Sequence, residues 1–447
     1  MRRILGAGLL VLISAMAEAG PVVLTADQMR AFGTEALTKG YADQALEIAG
    51  ALLARDVEDG SAYVLKAQAL RVLHRLPESE AAARRAWALA KDAGGRYLAA
   101  TAVAQALSLQ DKRLAAQYWL RQAVQNAPSG AAQAQAVQDF NYVRSQNPLR
   151  LQVNASVRPS DNVNGGARDP LFDYHGIPFI LSGDALALSG LTWGLGVNGT
   201  YKLGETTAAE TFLTFGLSQQ GVILSQAARV QAPKAGNGDY ALSHVQAGLQ
   251  RRGSLEFGIL TTEATAGHSW YGGTDLSNSL EVKVELGRPL PSGALTTYGA
   301  SLTRQMRLDH PLSSSTEAEI TAEWAKAGPK GDRWTANVSA ARVVSDDAGI
   351  DHGEAVLGVT WQAGKPVAGI SLGANVAVRR ADYAASPYRA MGRQDLRWQA
   401  SLQATVNAAT YLGFAPVVSL DFARNASNVS LYDTETLGIS VSIASRF

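Results

Sequence analysis

Between Leu280 and Leu286 every second residue is apolar, namely Leu280, Val282, Val284 and Leu286, and the residues between them are Glu281, Lys283 and Glu285. The same split separates Ala318, Ile320, Ala322 and Trp324 from Glu317, Glu319 and Glu323. It recurs where Leu396, Trp398, Ala400, Leu402 and Ala404 alternate with Arg397, Gln399, Ser401 and Gln403. A period of two belongs to an extended strand with two unlike faces. On the lipid side of a membrane strand a basic residue costs roughly 2–4 kcal/mol, and an acidic one somewhat less. The charged faces are therefore expected to look into a lumen and the apolar faces into lipid.

Fourteen such strands are predicted after Asn147-Pro148, where proline and the residue before it mark a boundary. They begin near Leu149, Leu191, Thr207, Gly238, Ser254, Asp275, Gly293, Thr316, Arg333, Glu354, Val367, Asp395, Tyr411 and Thr436. The even number suits a single-chain bacterial barrel. The last strand is read as Leu437 to Phe447, with Leu437, Ile439, Val441, Ile443 and Phe447 on one face. An aromatic residue directly before the carboxylate resembles the tag read by barrel-insertion machinery, so Phe447 is the expected insertion signal.

Connections after even-numbered strands are short: Gly204-Glu205, Arg251 to Gly253, Pro289 to Ser292, Gly328 to Asp332, Gly364 to Pro366 and Ala408-Ala409. Those after odd-numbered strands are mostly longer and include Pro159 to Gly190 and Ala381 to Arg393. Outer-membrane barrels have short periplasmic turns and long outer loops. Both ends of the barrel segment then lie on the periplasmic side.

Residues from about Leu24 to Arg144 show helical spacing and are rich in Ala, Leu, Gln and Arg. The pairs Ala45/Leu52, Ala81/Ala88 and Ala116/Ala123 recur along them. This period resembles that of tetratricopeptide repeats, with Gly33, Gly40 and Pro128 falling where that family places its glycines and closing proline. Such an array leaves a concave surface for a partner, which Tyr63, Trp87, Tyr97, Tyr118 and Trp119 are candidates to line. An alanine-rich bundle that packs those aromatics into its own core remains the alternative.

Arg2 and Arg3 precede an apolar run from Ile4 to Ala17, and Ala17-Glu18-Ala19 fits a small-x-small cleavage rule. Residues 1–19 therefore read as a signal peptide cut after Ala19. The expected organisation is a periplasmic helical repeat domain over 20–147 and an outer-membrane β-barrel over 148–447, an α plus membrane-β chain. A formal net charge of +1 gives no sign of nucleic-acid binding, and the absence of cysteine excludes disulfides, thiolate metal sites and a cysteine nucleophile.

Helical repeats followed by a fourteen-stranded barrel resemble the Slam family, the surface lipoprotein assembly modulators. Three stretches carry the likeness. Leu151 to Ala167 ends in Asp161-Asn162-Val163-Asn164; Gly392-Arg393-Gln394-Asp395 opens the twelfth strand, with Gly413-Phe414-x-Pro416 beyond it; and Arg424-Asn425-Ala426-Ser427-Asn428 precedes Leu431-Tyr432-Asp433. The resemblance implies an outer-membrane translocator that brings particular surface lipoproteins, or related secreted proteins, to the cell exterior. Its partners would be the client, periplasmic chaperones, the barrel-assembly machinery and outer-membrane lipids, with no cofactor. A saccharide-export porin with a periplasmic repeat scaffold is the alternative, and a barrel that merely anchors a scaffold is a third reading.

Asn162 and Asn164 are expected to fix the first outer loop through side-chain bonds to backbone. Arg393 and Asp395 are candidates for a lumenal ion pair that holds a loop or for a solvated rim pair, and Ser427 and Asn428 for strand termination. Enzyme activity is not expected. His74, His175, His244, His268, His310 and His352 show no metal-pair spacing, and no nucleophile elbow or phosphate loop is evident. His268-Ser269 and His352-Gly353-Glu354 are the stretches closest to a hydrolase pattern.

Overall fold

The computed structural model describes residues 24–174, 177–389 and 391–447. The predicted cleavage site at Ala19 and His175 lie outside the described residues.

Three helical hairpins come first: α1 (Ala26–Thr38) with α2 (Ala42–Arg55), α3 (Gly60–Val72) with α4 (Leu76–Leu89), and α5 (Ala93–Leu109) with α6 (Arg113–Gln125). All three turn alike. Gly40, His74 and Asp111 take left-handed backbone with φ of 85°, 56° and 60°. The next amide then reaches back to the carbonyl of Ala36, Leu70 or Leu107 at 2.8, 2.8 and 3.0 Å, which closes the helix end in a Schellman-type turn. The first helix of each hairpin starts on a side-chain cap, from Thr25, Asp59 and Asp92 in turn.

Packing within the repeats depends on small residues at fixed places. Ala45, Ser79 and Ala116 are each the fourth residue of their helix and Leu52, Ala86 and Ala123 the eleventh, and all six are at most 1% exposed. This corrects the second predicted pair, because Ala81 and Ala88 face solvent. Several alanines one step apart blurred the spacing there. The buried slot is filled instead by Ser79, whose hydroxyl donates to the Ala67 carbonyl at 2.7 Å and so avoids an unpaired polar group. The contacts divide the chain into two units at Ala136/Val137, within α7 (Gly130–Gln146).

The second unit holds a closed antiparallel barrel of fourteen strands: β1 (Leu149–Ser160), β4 (Gly190–Glu205), β5 (Ala209–Leu224), β6 (Leu242–Leu255), β7 (Gly258–Tyr271), β8 (Thr274–Pro289), β9 (Leu295–Arg307), β10 (Ser315–Ala327), β11 (Arg333–Ser345), β12 (His352–Gln362), β13 (Ile370–Tyr383), β14 (Arg393–Val406), β15 (Phe414–Ser427) and β16 (Thr434–Ser445). Each strand pairs with its neighbour in the chain, and β1 closes the ring on β16. A further hairpin, β2 (Leu171–Tyr174) with β3 (Ile177–Ile180), sits in the first long loop, and a short helix, α8 (Gln226–Gln231), in the second. Neither was expected.

Several boundaries differ from the sequence reading: Gly238 lies in a short 3-10 turn, Asn237–Tyr240, ahead of β6, and Ala381 to Tyr383 belong to β13 rather than to the loop after it. The final strand runs from Thr434 to Ser445, leaving Arg446 and Phe447 beyond it. Gly204 and Glu205 still pair with Thr211 and Glu210, so the first short turn falls at residues 206–208. Arg251 to Gly253 lie inside β6, paired with Thr262, Thr261 and Leu260, and the turn falls at Glu256-Phe257.

Side-chain direction follows the predicted alternation. Leu280, Val282, Ile320, Leu357 and Leu402 are all more than half exposed, on the outer surface of the barrel. Glu281, Lys283, Glu317 and Glu319 occupy the alternate positions and point inward. Soluble proteins rarely expose apolar patches beyond a few hundred square ångströms, whereas this belt runs around the whole ring. The physical solvent for such a surface is a lipid bilayer, where a closed sheet also leaves no unpaired edge. Outward Tyr201, Tyr298, Trp324, Trp334 and Trp361 cluster toward the short-turn end, as an interfacial aromatic girdle does. At the long-loop end, outward Arg304, Arg342, Arg380 and Arg424 mark the other rim.

Candidate functional site

Most of the residues singled out in the sequence meet at the long-loop end, around the first outer loop, residues 161–189. Asn162 closes the start of that loop on itself: its Nδ2 donates to the Gly166 carbonyl at 2.9 Å, and its Oδ1 accepts from the Gly166 amide at 2.9 Å. Asn164 pins the returning segment, donating to the carbonyls of Asp184 and Leu186 and accepting from the Leu188 amide. Carboxamides suit this work because one side chain both donates and accepts. From there the loop reaches its neighbours. The Arg168 amide donates to the Asp433 carbonyl, the Ser430 hydroxyl to the Leu171 carbonyl, and Gln231 of α8 to the carbonyls of Gly183 and Ala187.

Arg393 is the centre of the second half of the cluster. Its side chain is 6% exposed, and the guanidinium lies between the faces of Tyr383, at 3.5 Å from the ring centroid, and Tyr432, at 3.8 Å. Asp395 on the same strand supplies the countercharge at 3.2 Å. Two aromatic faces and one carboxylate are a setting that suits a planar, weakly hydrated cation better than an ammonium. Burial pushes the Tyr432 phenol above its ordinary pKa, although Arg393 pulls the other way. The stack extends at both ends. His352 lies on Tyr383 at 4.5 Å between centroids, while Tyr388 meets Tyr432 at 6.1 Å and Phe172 of β2 at 5.3 Å.

Asn428 ties this stack to the strand ends. Its Oδ1 accepts from the Gln394 amide at 2.9 Å, and its carbonyl accepts from Arg389 at 2.8 Å. The Ser427 hydroxyl accepts from the Val429 amide and turns the chain out of β15. Gly392 is needed just before Arg393, because its φ is 77° and a Cβ there would come within 2.3 Å of the Tyr383 carbonyl oxygen. The structure thus brings Asn162, Asn164, Arg393, Asp395, Ser427 and Asn428 to one side of the long-loop end. What sequence reasoning missed is the aromatic set Phe172, Tyr383, Tyr388 and Tyr432. Its only trace was a recurrence of tyrosine near the outer strand ends. Phe447 lies elsewhere, beyond the end of β16, with its ring against Phe140.

No protein-family model and no curated protein matches the sequence. Among solved structures, the helical part is similar to the first tetratricopeptide-repeat domain of the human RPAP3 protein, at 15% identity and a TM-score of 0.24, over 27% of this chain and 93% of that one. The barrel is similar to Pseudomonas putida OprB, at 9% identity and a TM-score of 0.37, over 71% of this chain and 96% of that one. It is also similar to a bacterial polysaccharide outer-membrane secretin, at 11% identity and a TM-score of 0.31, over 66% and 98%.

The lumen is divided by charge. Glu263 on β7, Glu281 and Glu285 on β8, and Glu317, Glu319 and Glu323 on β10 all face inward, with Lys283 bonded to Glu285 at 2.8 Å. Across the ring, β16 offers only Thr434, Thr436, Gly438, Ser440, Ser442 and Ala444 to the interior. Arg158 on β1 and Arg397 on β14 flank that small-residue wall. Arg379 lies directly opposite Arg397 across the β13–β14 ladder and is paired with Glu354, which also accepts from His352.

Of the two stretches singled out in the sequence, His352 does meet Glu354, at 3.2 Å, whereas His268 and its neighbouring serine do not come together. His268 and Ser269 point to opposite faces of β7: His268 faces outward and bonds Asn278 and Asp275, whereas Ser269 meets His244 of β6 at 2.9 Å. The other ring nitrogen of His244 meets Gln246, a carboxamide. Among the described residues no cluster of three His, Asp or Glu side chains is placed to hold a metal.

Of the repeat aromatics, Tyr63 and Trp87 pack against the buried Val64, Ala86 and Ala99, and the Tyr97 hydroxyl donates to the Ala132 carbonyl at 3.4 Å. Trp87 and Trp119 meet edge to face at 5.1 Å, with Arg84 over Trp119 at 5.3 Å and Tyr118 beside it at 5.8 Å. Tyr118 keeps about half its surface exposed, at 51%.

Proposed function

We propose that this chain is a bacterial outer-membrane translocator that helps specific surface lipoproteins, or related secreted proteins, reach the cell exterior. In this reading residues 1–19 are a signal peptide cleaved after Ala19, and the helical hairpins stand in the periplasm, where they engage the client or its chaperone. The barrel supplies the route or a folding template. The observation that carries the reading is the outer cluster that joins Asn162, Asn164 and Phe172 of the first outer loop to Tyr388, Arg389, Asn428 and Tyr432. A pore for free diffusion needs no such investment on one side of its mouth, whereas a protein client needs a shaped surface to leave from. Supporting it, β1 begins and β16 ends at the short-turn end, so the segment before the barrel starts on that side.

A saccharide-export porin is the second reading, favoured by the hydroxyl-lined wall of β16. Single-channel recording in planar bilayers separates the two. A translocator gives a closed or briefly flickering barrel, and a steady high conductance at all voltages would favour the porin.

A further inference from the structure

The structure assigns a ligand site to the lumen itself, independent of the outer loop cluster. A cavity of 480 Å³ lies against the inner wall where β14, β15, β16, β1 and β4 meet, and both Arg158 and Arg397 line it. Among the described residues neither guanidinium has a carboxylate within ion-pair distance, in contrast to Arg379, Arg393 and Arg424, which are all paired. Arg397 has only the Gln399 amide. With that amide turned so both groups are satisfied, its oxygen accepts from Nε and Nη2 at 2.9 and 3.0 Å. Its direct cross-strand neighbour is another cation, Arg379. Like charges opposed across a ladder are destabilising; Glu354 compensates Arg379, and Asp421 of the same lining is bonded by the Ser440 hydroxyl, so Arg397 and Arg158 carry a cost that no ion pair offsets.

An anion would offset it. Guanidinium groups meet carboxylates through paired, charge-assisted hydrogen bonds. The rest of the lining states what the anion is attached to: Asn375, Gln399 and Gln403 offer carboxamides, Ser156, Ser401 and Ser419 offer hydroxyls, and the buried Ser401 hydroxyl has no hydrogen-bond partner. Carboxamides and hydroxyls that both donate and accept suit a polyhydroxylated ring. We therefore infer a lumenal subsite for a carboxylated saccharide, with Arg158 and Arg397 on the acid group and the amides on the hydroxyls. The acidic wall on β7, β8 and β10, across the lumen, repels the same ligand and confines it to this side.

The test uses the full-length protein in detergent micelles, where binding is read by calorimetry whether or not the lumen conducts. The probes are trigalacturonate, neutral maltotriose and a penta-glutamate peptide. Saturable binding of trigalacturonate at least tenfold tighter than maltotriose is expected. It should weaken at least tenfold in the Arg158→Gln, Arg397→Gln double variant and less in the Arg158→Lys, Arg397→Lys variant, which keeps the charges. Heat-modifiable gel migration confirms that each variant is a folded barrel. No binding of trigalacturonate, equal binding of maltotriose, or undiminished binding by a folded glutamine variant overturns the site. Tighter binding of penta-glutamate than of trigalacturonate overturns the saccharide and makes the site one for acidic peptide.

Discussion

The ring of Phe447 meets the ring of Phe140 edge to face, 5.0 Å between centroids and 78° between planes, so the last residue of the chain packs onto the second half of α7. Phe140 is 2% exposed. Phe447 therefore has a packing role in the folded protein, beside the insertion role expected from its position.

The two roles separate by mutation. Phe140→Ala removes the edge-to-face contact, worth about 0.5–1.5 kcal/mol beyond area burial, and leaves the terminal aromatic in place. It should lower the thermal stability of the assembled barrel without slowing its insertion. Deleting Phe447 should do both. Pulse-chase labelling with heat-modifiable migration measures insertion; normal insertion of the deletion variant would remove the tag role and leave only the packing.

Arg393 offers the sharpest probe of the outer cluster. Arg393→Met keeps bulk but leaves Asp395 buried without its cation, and breaking a buried pair on one side typically costs about 3–5 kcal/mol. The loss should be local. Limited proteolysis of intact cells should cut residues 384–392 and 428–433 at least tenfold faster than in the wild type, with β-sheet content unchanged. Arg393→Lys should fall between the two, because an ammonium stacks less well between two rings.

Each helical hairpin places one residue in left-handed backbone, but only the first uses glycine. His74→Gly and Asp111→Gly relieve that strain and should each stabilise the helical unit by about 1 kcal/mol. Gly40→Ala should cost a similar amount. The helical transition followed by circular dichroism at 222 nm checks all three.

Closure of the ring is open to a chemical test. Ser156 of β1 and Ser442 of β16 are direct partners and both side chains face the lumen. Since the chain has no cysteine, the Ser156→Cys, Ser442→Cys variant has a single way to form an internal disulfide. Directly opposed strand residues lie within the reach such a bond requires. Oxidation should produce a fast-migrating band on non-reducing gels, and its absence in the folded barrel would place β1 and β16 in another register.

How much of this was legible in sequence depended on how strongly each residue type is tied to its surroundings. Leu280 to Leu286 and Ala318 to Trp324 declared their faces because a glutamate every second position has no place in lipid. The strand count followed from the same rule. Arg251 to Gly253 misled because charge and glycine look like a turn, while Arg252 in fact lies inside β6 over the Phe212 ring. Alanine carries little positional information, so Ala81 and Ala88 passed for buried when Ser79 and Ala86 are. Asn162, Asn164 and Asn428 could be placed near loop starts and strand ends, but the stack of Tyr383, Arg393 and Tyr432 joins three separate segments and has no period to read.

The claim that matters most is export of a particular protein, and surface proteomics tests it most directly. In a strain lacking this gene, protease shaving of intact cells and analysis of the medium should show one or a few lipoproteins or secreted proteins lost from the outside and retained in the periplasm, with recovery on complementation. Surface and secreted proteomes identical to the parent, under conditions where the gene is expressed, would contradict the account.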